Sequence, residues 1–313
     1  MLLEAIIFTI IGLALFETIT SIDNAIINAE VLSKMSQKAR KWFLLWGLLF
    51  AVVFVRGILP TVIMWMANPT LSPGEILNAT FSDDPRIVEA IEKSGPVLLI
   101  AGGIFMVFLF FHWLFLEHKN YGLKGEKFFH AQGVWFFAVV SILLCIITWY
   151  AMQIDKLMAF GAVVGSTAFF IVHGFKQNAE AREKDILEGK GNLGDLSKLL
   201  YLEIIDMTFS IDGVIGAFAF TFSIPLILLG NGIGALVVRK LTIRNIENVK
   251  KYVYLKNGAM YSILVLGGVM ILDSFGYEIP YWVSPSATIL IIGFFILKSF
   301  EHLKQNPVAV KNQ

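Results

Sequence analysis

Apolar blocks of about twenty residues recur along the chain, separated by charged or Pro/Gly-rich stretches. A helix needs about 20 apolar residues to span the hydrocarbon core of a bilayer, whereas a membrane β-strand needs only about ten residues of alternating character. The pattern therefore predicts an all-α, polytopic membrane protein with about nine transmembrane helices. The predicted spans cover residues 3–32, 42–66, 96–116, 133–152, 157–175, 199–222, 225–241, 252–272 and 284–300.

Composition agrees with a lipid environment. Hydrophobic residues make up 57% of the 313 residues and charged residues 16%, and the mean hydropathy of +0.72 lies outside the range of soluble domains. The lipid bilayer is the expected partner, and no nucleic-acid partner is expected.

The first block lacks a basic start and contains Glu4 and Glu17, which favours a retained helix over a signal peptide. Cys145, the sole cysteine, is expected to be a packing residue.

Lysine and arginine residues indicate an orientation. Twenty of the 25 lie in alternate connections and in the C-terminal tail, whereas the opposite connections hold only Arg86, Lys93 and Lys156. Because basic residues accumulate on the cytoplasmic side, we predict a multi-pass protein of the bacterial cytoplasmic (inner) membrane, with its N-terminus outside and its C-terminus inside.

Two connections stand out. The outer connection 67–95 is acidic, and we interpret it as either a solvated loop or a vestibule that gathers or releases cations. The inner segment 177–198, with alternating charges and three glycines, is typical of a solvated linker. The predicted parts are a first transmembrane repeat (1–118), inserted helices four and five with the linker (119–198), a second, inverted repeat (199–274), and a final helix with a cytoplasmic tail (275–313).

A short acidic motif occurs twice. Ser21-Ile22-Asp23 follows Glu17, and Ser210-Ile211-Asp212 follows Asp206, with the same interval between the acid and the motif. The markers after each motif also recur. Gly47 precedes Arg56 as Gly230 precedes Arg239, and one span later Gly102-Gly103 matches Gly267-Gly268.

Spans one to three therefore correspond to spans six to eight. Since an odd-numbered span matches an even-numbered one, the two copies cross the membrane in opposite directions. Secondary transporters commonly bind substrate near the midplane, where such inverted repeats meet. The repeat thus predicts a central site that contains both motifs.

Five acids lie in or near the middle of their predicted spans, namely Glu17, Asp23, Glu203, Asp206 and Asp212. Each costs about 3 kcal/mol at a helix centre, so protons, bases or cations must neutralise them. Embedded bases look too few, because only Arg56 and Lys256 are available and Arg239 can reach the cytoplasmic surface. We therefore expect protons or a bound cation at most of these acids.

The expected cation is a hard divalent ion. Carboxylates together with asparagine and serine oxygens suit Mn²⁺, Mg²⁺ or Ca²⁺, whereas zinc and copper favour histidine and cysteine. The histidines, including His112, His118 and His173, fit no zinc motif and are interpreted as helix-end residues.

On a regular helix Asp23 and Asp212 do not share a face with Glu17 and Asp206. Either the spans unwind at the motifs, more readily in span six, or the aspartates face the site from another direction.

The two motifs, together with Asn231 and Arg239, resemble the tellurite-resistance TerC family of the LysE-type exporter superfamily. The resemblance covers about two thirds of the chain. It implies an integral membrane protein with manganese(II) efflux, or with a role in tellurite stress. Two departures, Gly213 and the interposed spans four and five, indicate a divergent branch. The resemblance maps the metal site to Glu17, Asp23, Asn24, Glu203, Asp206, Ser210, Asp212 and Asn231.

The function expected from the residues and the resemblance is a secondary transporter. It exports a divalent cation, with Mn²⁺ favoured, in exchange for protons, and it needs no permanent cofactor. Two other classes stay open. One is a membrane anchor of a metal- or tellurite-stress complex, and the other is an intramembrane hydrolase, for which the Gly-x-Gly-Asp signature is missing. We expect no enzymatic activity.

Overall fold

The computed structural model describes residues 3–33, 35–82, 84–187, 194–244 and 251–305. Throughout these ranges the regular secondary structure is helical. The first half begins with α1 (Leu3–Thr20) and α2 (Ile22–Ser33). A broken helix follows over residues 37–67, and its segments are α3 (Gln37–Trp42), a π-helix (Phe43–Gly47), α4 (Leu48–Phe50), a second π-helix (Ala51–Ile58) and α5 (Leu59–Ala67). A short α6 (Pro73–Asn78) and a 3₁₀ turn (Ala79–Phe81) then lead into α7 (Pro85–Leu116).

The remaining helices are longer and mostly unbroken. They are α8 (Lys124–Ala131), a 3₁₀ turn (Gly133–Trp135), α9 (Phe136–Ile154), α10 (Lys156–Leu187), α11 (Asp195–Ala217), α12 (Ile224–Arg244), α13 (Leu255–Ser274) and α14 (Val283–Gln305).

Seven helices in the described part of the chain are long and apolar enough to cross a membrane. They coincide with the first, third, fourth, fifth, seventh, eighth and ninth predicted spans. The second predicted span corresponds to the broken helix, whose apolar stretch Val52–Ala67 is shorter. The sixth corresponds to α11, which carries three acids within its apolar residues. The chain is thus an all-helical, multi-pass membrane protein.

Two predicted connections are partly helical. α7 begins at Pro85 and passes through Pro96, so most of the acidic outer connection is helix rather than loop. Asp84 caps α7 by accepting a hydrogen bond from the Arg86 backbone N–H, at 2.9 Å. The predicted linker 177–198 is also too long, because α10 continues to Leu187 through strong helix formers such as alanine, glutamate and lysine.

The two motifs differ in local structure. Span six was expected to unwind more readily than span one because it contains glycine, and the structure shows the reverse. α11 runs unbroken through Ser210-Ile211-Asp212 despite Gly213. The break lies in the first motif, at Ser21, between α1 and α2. Just before it, Thr18 and Thr20 donate to the carbonyls of Ala14 and Phe16, at 2.6 and 2.9 Å. Hydroxyls that bond back to the preceding turn bend helices, which accounts for a break without glycine.

α7 forms the centre of the fold. It is buried along most of its length, with α13 on one side and α10 on another. α7 and α13 approach closely at glycines: a Cβ on Gly103 would lie 2.9 Å from the Gly267 carbonyl oxygen, and a Cβ on Gly267 would lie 3.1 Å from that of Gly103. α1 packs along α12, with Leu13 against Gly230. Helices without bulky side chains at their crossings pack at short distance in membranes.

The outer surface is apolar. α9 shows mostly exposed large apolar side chains, among them Phe137, Ile142 and Trp149. In water such a continuous apolar surface would be an aggregation hazard, whereas in a bilayer it is the lipid-facing side. Cys145 is also exposed on this helix, so the expectation that it packs in the interior is wrong.

Candidate functional site

Glu17 and Arg56 form a buried ion pair between α1 and the broken helix. Arg56 Nη2 donates to Glu17 Oε1 at 2.5 Å and to Ser210 Oγ at 3.1 Å. Ser21 Oγ donates to the same Glu17 oxygen at 2.6 Å. Both charged side chains are about 2% exposed or less, so this guanidinium links the two motifs out of contact with water.

The backbone around this pair is adapted to it. Arg56 lies in the π-helical segment Ala51–Ile58, and π-helical turns occur frequently at functional sites. Glu17 packs against glycines of two other helices. A Cβ on Gly213 would lie 2.5 Å from Glu17 Oε2, and a Cβ on Gly234 would lie 2.7 Å from Glu17 Cβ. Gly213 therefore leaves room for the carboxylate of Glu17. The TerC family, which the sequence resembles, has a small hydroxyl residue at this position.

Asp212 has a different partner. Its Oδ2 contacts the ammonium of Lys176, which lies on α10, and both side chains are about 12% exposed. α10 belongs to the helices that the sequence analysis places outside the repeats. The second motif is thus completed by a residue from the inserted region.

A cavity of about 30 Å³ adjoins Asp212. Thr20 and Lys256 supply its other polar groups, and the rest of the lining is apolar side chains of α1, α2 and α13. Lys256 is itself bound to Glu117, with 2.8 Å between Nζ and Oε2. Burial raises the pKa of Glu117, but the hydrogen bond with His112 and the charge of Lys256 outweigh it, and the pKa lies below the usual range.

A third acidic group lies along α11. Asp206 interacts electrostatically with both Arg56 and Arg239. Glu203 packs against Gly47 of the broken helix, beside the Arg239 guanidinium. Arg239 donates to the Phe43 carbonyl and lies 4.2 Å from the centre of the Phe43 ring. Arg239 therefore points into the protein. The sequence analysis had expected it to reach the cytoplasmic surface.

Several buried oxygens near these groups accept no hydrogen bond from the described residues. They are Glu17 Oε2, Asn28 Oδ1, both carboxylate oxygens of Glu203, Asp212 Oδ1 and Asn231 Oδ1. Asn231 is fully buried, and its Nδ2 donates to the Gly213 carbonyl at 3.5 Å. Buried polar atoms are nearly always satisfied, so this concentration of acceptors indicates a place for protons, water or cations.

The structure brings together some of the eight predicted ligands. Glu17, Ser210 and Asn231 converge around Gly213, while Asp212 and Glu203 face other bases. Within the described side chains, no group of three or more His, Cys, Asp or Glu could hold a metal ion. The side chains of Asp23 and Asn24 lie outside the described part, so their predicted role is not tested.

Two bases were missed by the sequence analysis. Lys176 and Arg239 both turn toward acids, so with Arg56 three described bases lie near the predicted acids, which is more than expected but still fewer than the five acids. The continuous charged helix after Phe175 is the signal that could have found Lys176, because it places this residue within α10 and not in a loop. Nothing in the sequence specifies that Arg239 turns inward.

Two histidines of different helices, His112 of α7 and His173 of α10, lie together near Glu117. The rings of His112 and His173 are 3.9 Å apart between centroids, and His112 Nδ1 lies 3.5 Å from Glu117 Oε1. His130 accepts or donates one hydrogen bond with the Tyr121 hydroxyl, at 2.9 Å. Burial lowers the pKa of His130.

Asp212 lies toward one membrane boundary. About 30 Å of helix separates Lys156 from Lys176 on α10, and most of the residues between them are apolar, with no acid or further lysine or arginine. This distance matches the whole hydrocarbon thickness. With Lys156 at one boundary, Lys176 and its partner Asp212 lie near the other, off the midplane that the repeat predicts.

Apolar helices around a buried network of acids and bases define a multi-pass helical membrane protein. The chain matches the model "Protein of unknown function (DUF475)" over residues 22–306, and it belongs to that family. It is also similar to "Uncharacterized membrane protein YceF" of Bacillus subtilis (strain 168), with 27% identity over 115 residues. That similarity covers 37% of this chain and 44% of the relative. No solved structure matches. Membership of the TerC family stays a prediction.

Proposed function

We propose that this protein is a secondary transporter that exports a divalent cation, with Mn²⁺ favoured, in exchange for protons. The observation that carries the proposal is the concentration of unsatisfied buried oxygens at Glu17, Glu203, Asp212 and Asn231. These oxygen atoms are hydrogen-bond acceptors. A proton or a cation can therefore interact favourably with them, whereas another acceptor cannot. An all-oxygen set suits Mn²⁺, Mg²⁺ or Ca²⁺.

An inverted repeat within nine spans forms part of the proposal. Both glycine pairs of the repeat lie at one helix crossing: Gly103 of α7 meets Gly267 of α13, each against the carbonyl of the other. Gly230 packs on α1 as Gly47 packs on α11. Equivalent residues with equivalent neighbours support two copies that meet around the acids.

The bases supply a resting state for the site. Arg56, Lys176 and Arg239 compensate the acids electrostatically, so the bundle does not hold bare carboxylates when cargo is absent. Protons can play the same part, which is the basis for exchange. Moving two positive charges outward against roughly 100 mV costs about 4.6 kcal/mol, so efflux against a gradient needs such coupling.

Transport in proteoliposomes tests the proposal. Purified protein is reconstituted with a metal-sensitive dye inside, and Mn²⁺, Mg²⁺ and Ca²⁺ are compared with and without a pH gradient. We expect Mn²⁺ flux that responds to the gradient and falls at least tenfold in Asp212→Asn. Asp273→Asn is the matched control, because Asp273 lies near the far end of α13, away from the site.

Four results count against the proposal. Absence of flux for all three ions refutes transport, and equal flux for wild type and Asp212→Asn refutes the site. Flux without a pH response or proton movement removes the exchange mechanism. The proposal excludes enzymatic activity, so cleavage of peptides by the purified protein contradicts it.

A further inference from the structure

Lys176 is the feature that the repeat does not explain. It lies on α10, outside both predicted repeats, yet its ammonium contacts Asp212 of the second motif. A repeat-based site needs only residues of the two copies. The repeat therefore does not explain why a charged residue outside both copies contacts Asp212.

We infer that Lys176 is a tethered cation that occupies Asp212 and must be displaced before a free cation binds there. The inference deepens the proposed function, because it assigns the competitor at that same site. The ligand class is a hard metal cation that binds the aspartate carboxylate.

The surroundings of Asp212 fit displacement. Oδ2 contacts Lys176, whereas Oδ1 accepts no hydrogen bond from any described residue. On the cavity side, about 30 Å³ is open next to the carboxylate. A space of this size holds a water molecule or a dehydrated ion. A cation that enters this space can therefore compete with the ammonium of Lys176 for the carboxylate.

Lysine suits this task better than arginine does. Its ammonium is a compact charge on a flexible four-carbon stem, whereas a guanidinium is held by its planar array of donors. Arg56 illustrates the second case, since one nitrogen bonds to both Glu17 and Ser210. Lys176 lies within α10 near a membrane boundary, where a lysine can extend its charge toward the interface.

A tethered cation lowers the apparent affinity of the site, because only the fraction of molecules with a displaced lysine can bind. Removal of the lysine charge should therefore tighten cation binding. It should also leave Asp212 without its partner, which destabilises the fold when no cation is present.

The experiment uses the full chain in detergent micelles and measures thermal unfolding across titrations of MnCl₂ and MgCl₂. We expect Lys176→Met to unfold at lower temperature than wild type without metal, and to be stabilised by metal with at least a tenfold lower midpoint concentration. Lys156→Met, at the other end of the apolar part of α10, is the matched control and should behave as wild type.

A double variant keeps the test decisive if Lys176→Met folds poorly. Lys176→Met with Asp212→Asn removes both charges, so it should regain stability and lose the metal response. An unchanged metal midpoint in Lys176→Met overturns the inference, as does a metal response that survives Asp212→Asn.

The outcomes separate this inference from the proposed function. Tighter metal binding by Lys176→Met, with no ion flux in liposomes, leaves the tethered cation standing and refutes transport. Flux by wild type, with no gain of binding in Lys176→Met, refutes the tethered cation alone.

Discussion

Arg56 has two roles that a single charged side chain seldom combines. It neutralises Glu17 within the first motif and donates to Ser210 in the second, so one guanidinium ties α1 to α11. Removal of one partner from a buried ion pair leaves an uncompensated charge, which costs more than the pair itself contributes. The stability of the central helices therefore depends on this contact.

Arg56→Met should lower the free energy of unfolding by about 3–5 kcal/mol, because it removes the partner of Glu17 in a buried ion pair. Adding Glu17→Gln should restore a large part of the loss. Chemical unfolding in mixed detergent micelles measures both variants. The control is Arg86→Met, whose ion pairs with Glu75 and Asp84 are exposed to solvent and contribute little to stability. Equal losses for the two arginine variants would contradict the prediction.

Residue types within the predicted site could be found from the sequence, but their partners could not. Glu17, Ser210 and Asn231 were identified as oxygen ligands, and they do lie around one point. Lys176 and Arg239 were placed in or toward the cytoplasm, because a hydropathy pattern locates backbone segments and not the ends of long side chains. The direction of a lysine or arginine depends on helix packing that a single sequence does not specify.

At the scale of elements, α10 is more than an addition to a repeated core. It packs along α7 at two glycines: a Cβ on Gly161 would lie 2.9 Å from the Val97 carbonyl oxygen, and one on Gly165 would clash with the Ala101 carbonyl. This close approach holds Lys176 at a fixed distance from α11. Small residues at a helix crossing are the usual means of such approach in membranes.

Gly165→Ala should therefore lower the free energy of unfolding by about 1–3 kcal/mol, as overpacking does in tightly packed interiors. The same helix offers a matched control at Gly174, where an added Cβ meets nothing within 4 Å. Gly174→Ala should be neutral or stabilising by up to about 1 kcal/mol through helix propensity. Thermal unfolding of the two variants, measured side by side, checks the prediction, and an equal effect would show that α10 does not pack at Gly165.

Element positions could be predicted well, and the misses have identifiable causes. The predicted spans agree with helices to within a few residues where a long apolar block has charged ends, as in α9 and α13. The start of α7 was missed because the charged residues before Pro96 were assigned to a connection, although the helix begins at Pro85 and continues through Pro96. The break at Ser21 was missed because the threonine hydroxyls that bend α1 are not a recognised helix-breaking signal in a sequence.

At the scale of the whole molecule, the predicted orientation rests on the distribution of lysine and arginine alone. The outer connection contains the capping box of α6, in which the Ser72 hydroxyl accepts from the Glu75 backbone N–H and the Glu75 carboxylate accepts from the Ser72 backbone N–H. These bonds and Arg86 lower the pKa of Glu75. The predicted inner side holds α8, with Lys127 among its charged residues.

Labelling of single cysteines tests the orientation. In a Cys145→Ser background, a membrane-impermeant maleimide applied to intact cells should label Glu75→Cys and spare Lys127→Cys. Permeabilised cells should label both, which controls for access within the fold. Labelling of Lys127→Cys alone in intact cells would reverse the predicted orientation and with it the direction of the proposed transport.

The length of apolar helix between Lys156 and Lys176 has an electrical consequence. Asp212, held by Lys176, lies at a small fraction of the membrane's voltage drop from the predicted inner surface. In the proposed export, a cation from that side would cross little of the field before it reaches the carboxylate, and most of the field on its way out. Each elementary charge gains or loses about 2.3 kcal/mol over 100 mV. The membrane potential should therefore act mainly on the exit step, and cation capture from the cytoplasm should be nearly independent of voltage.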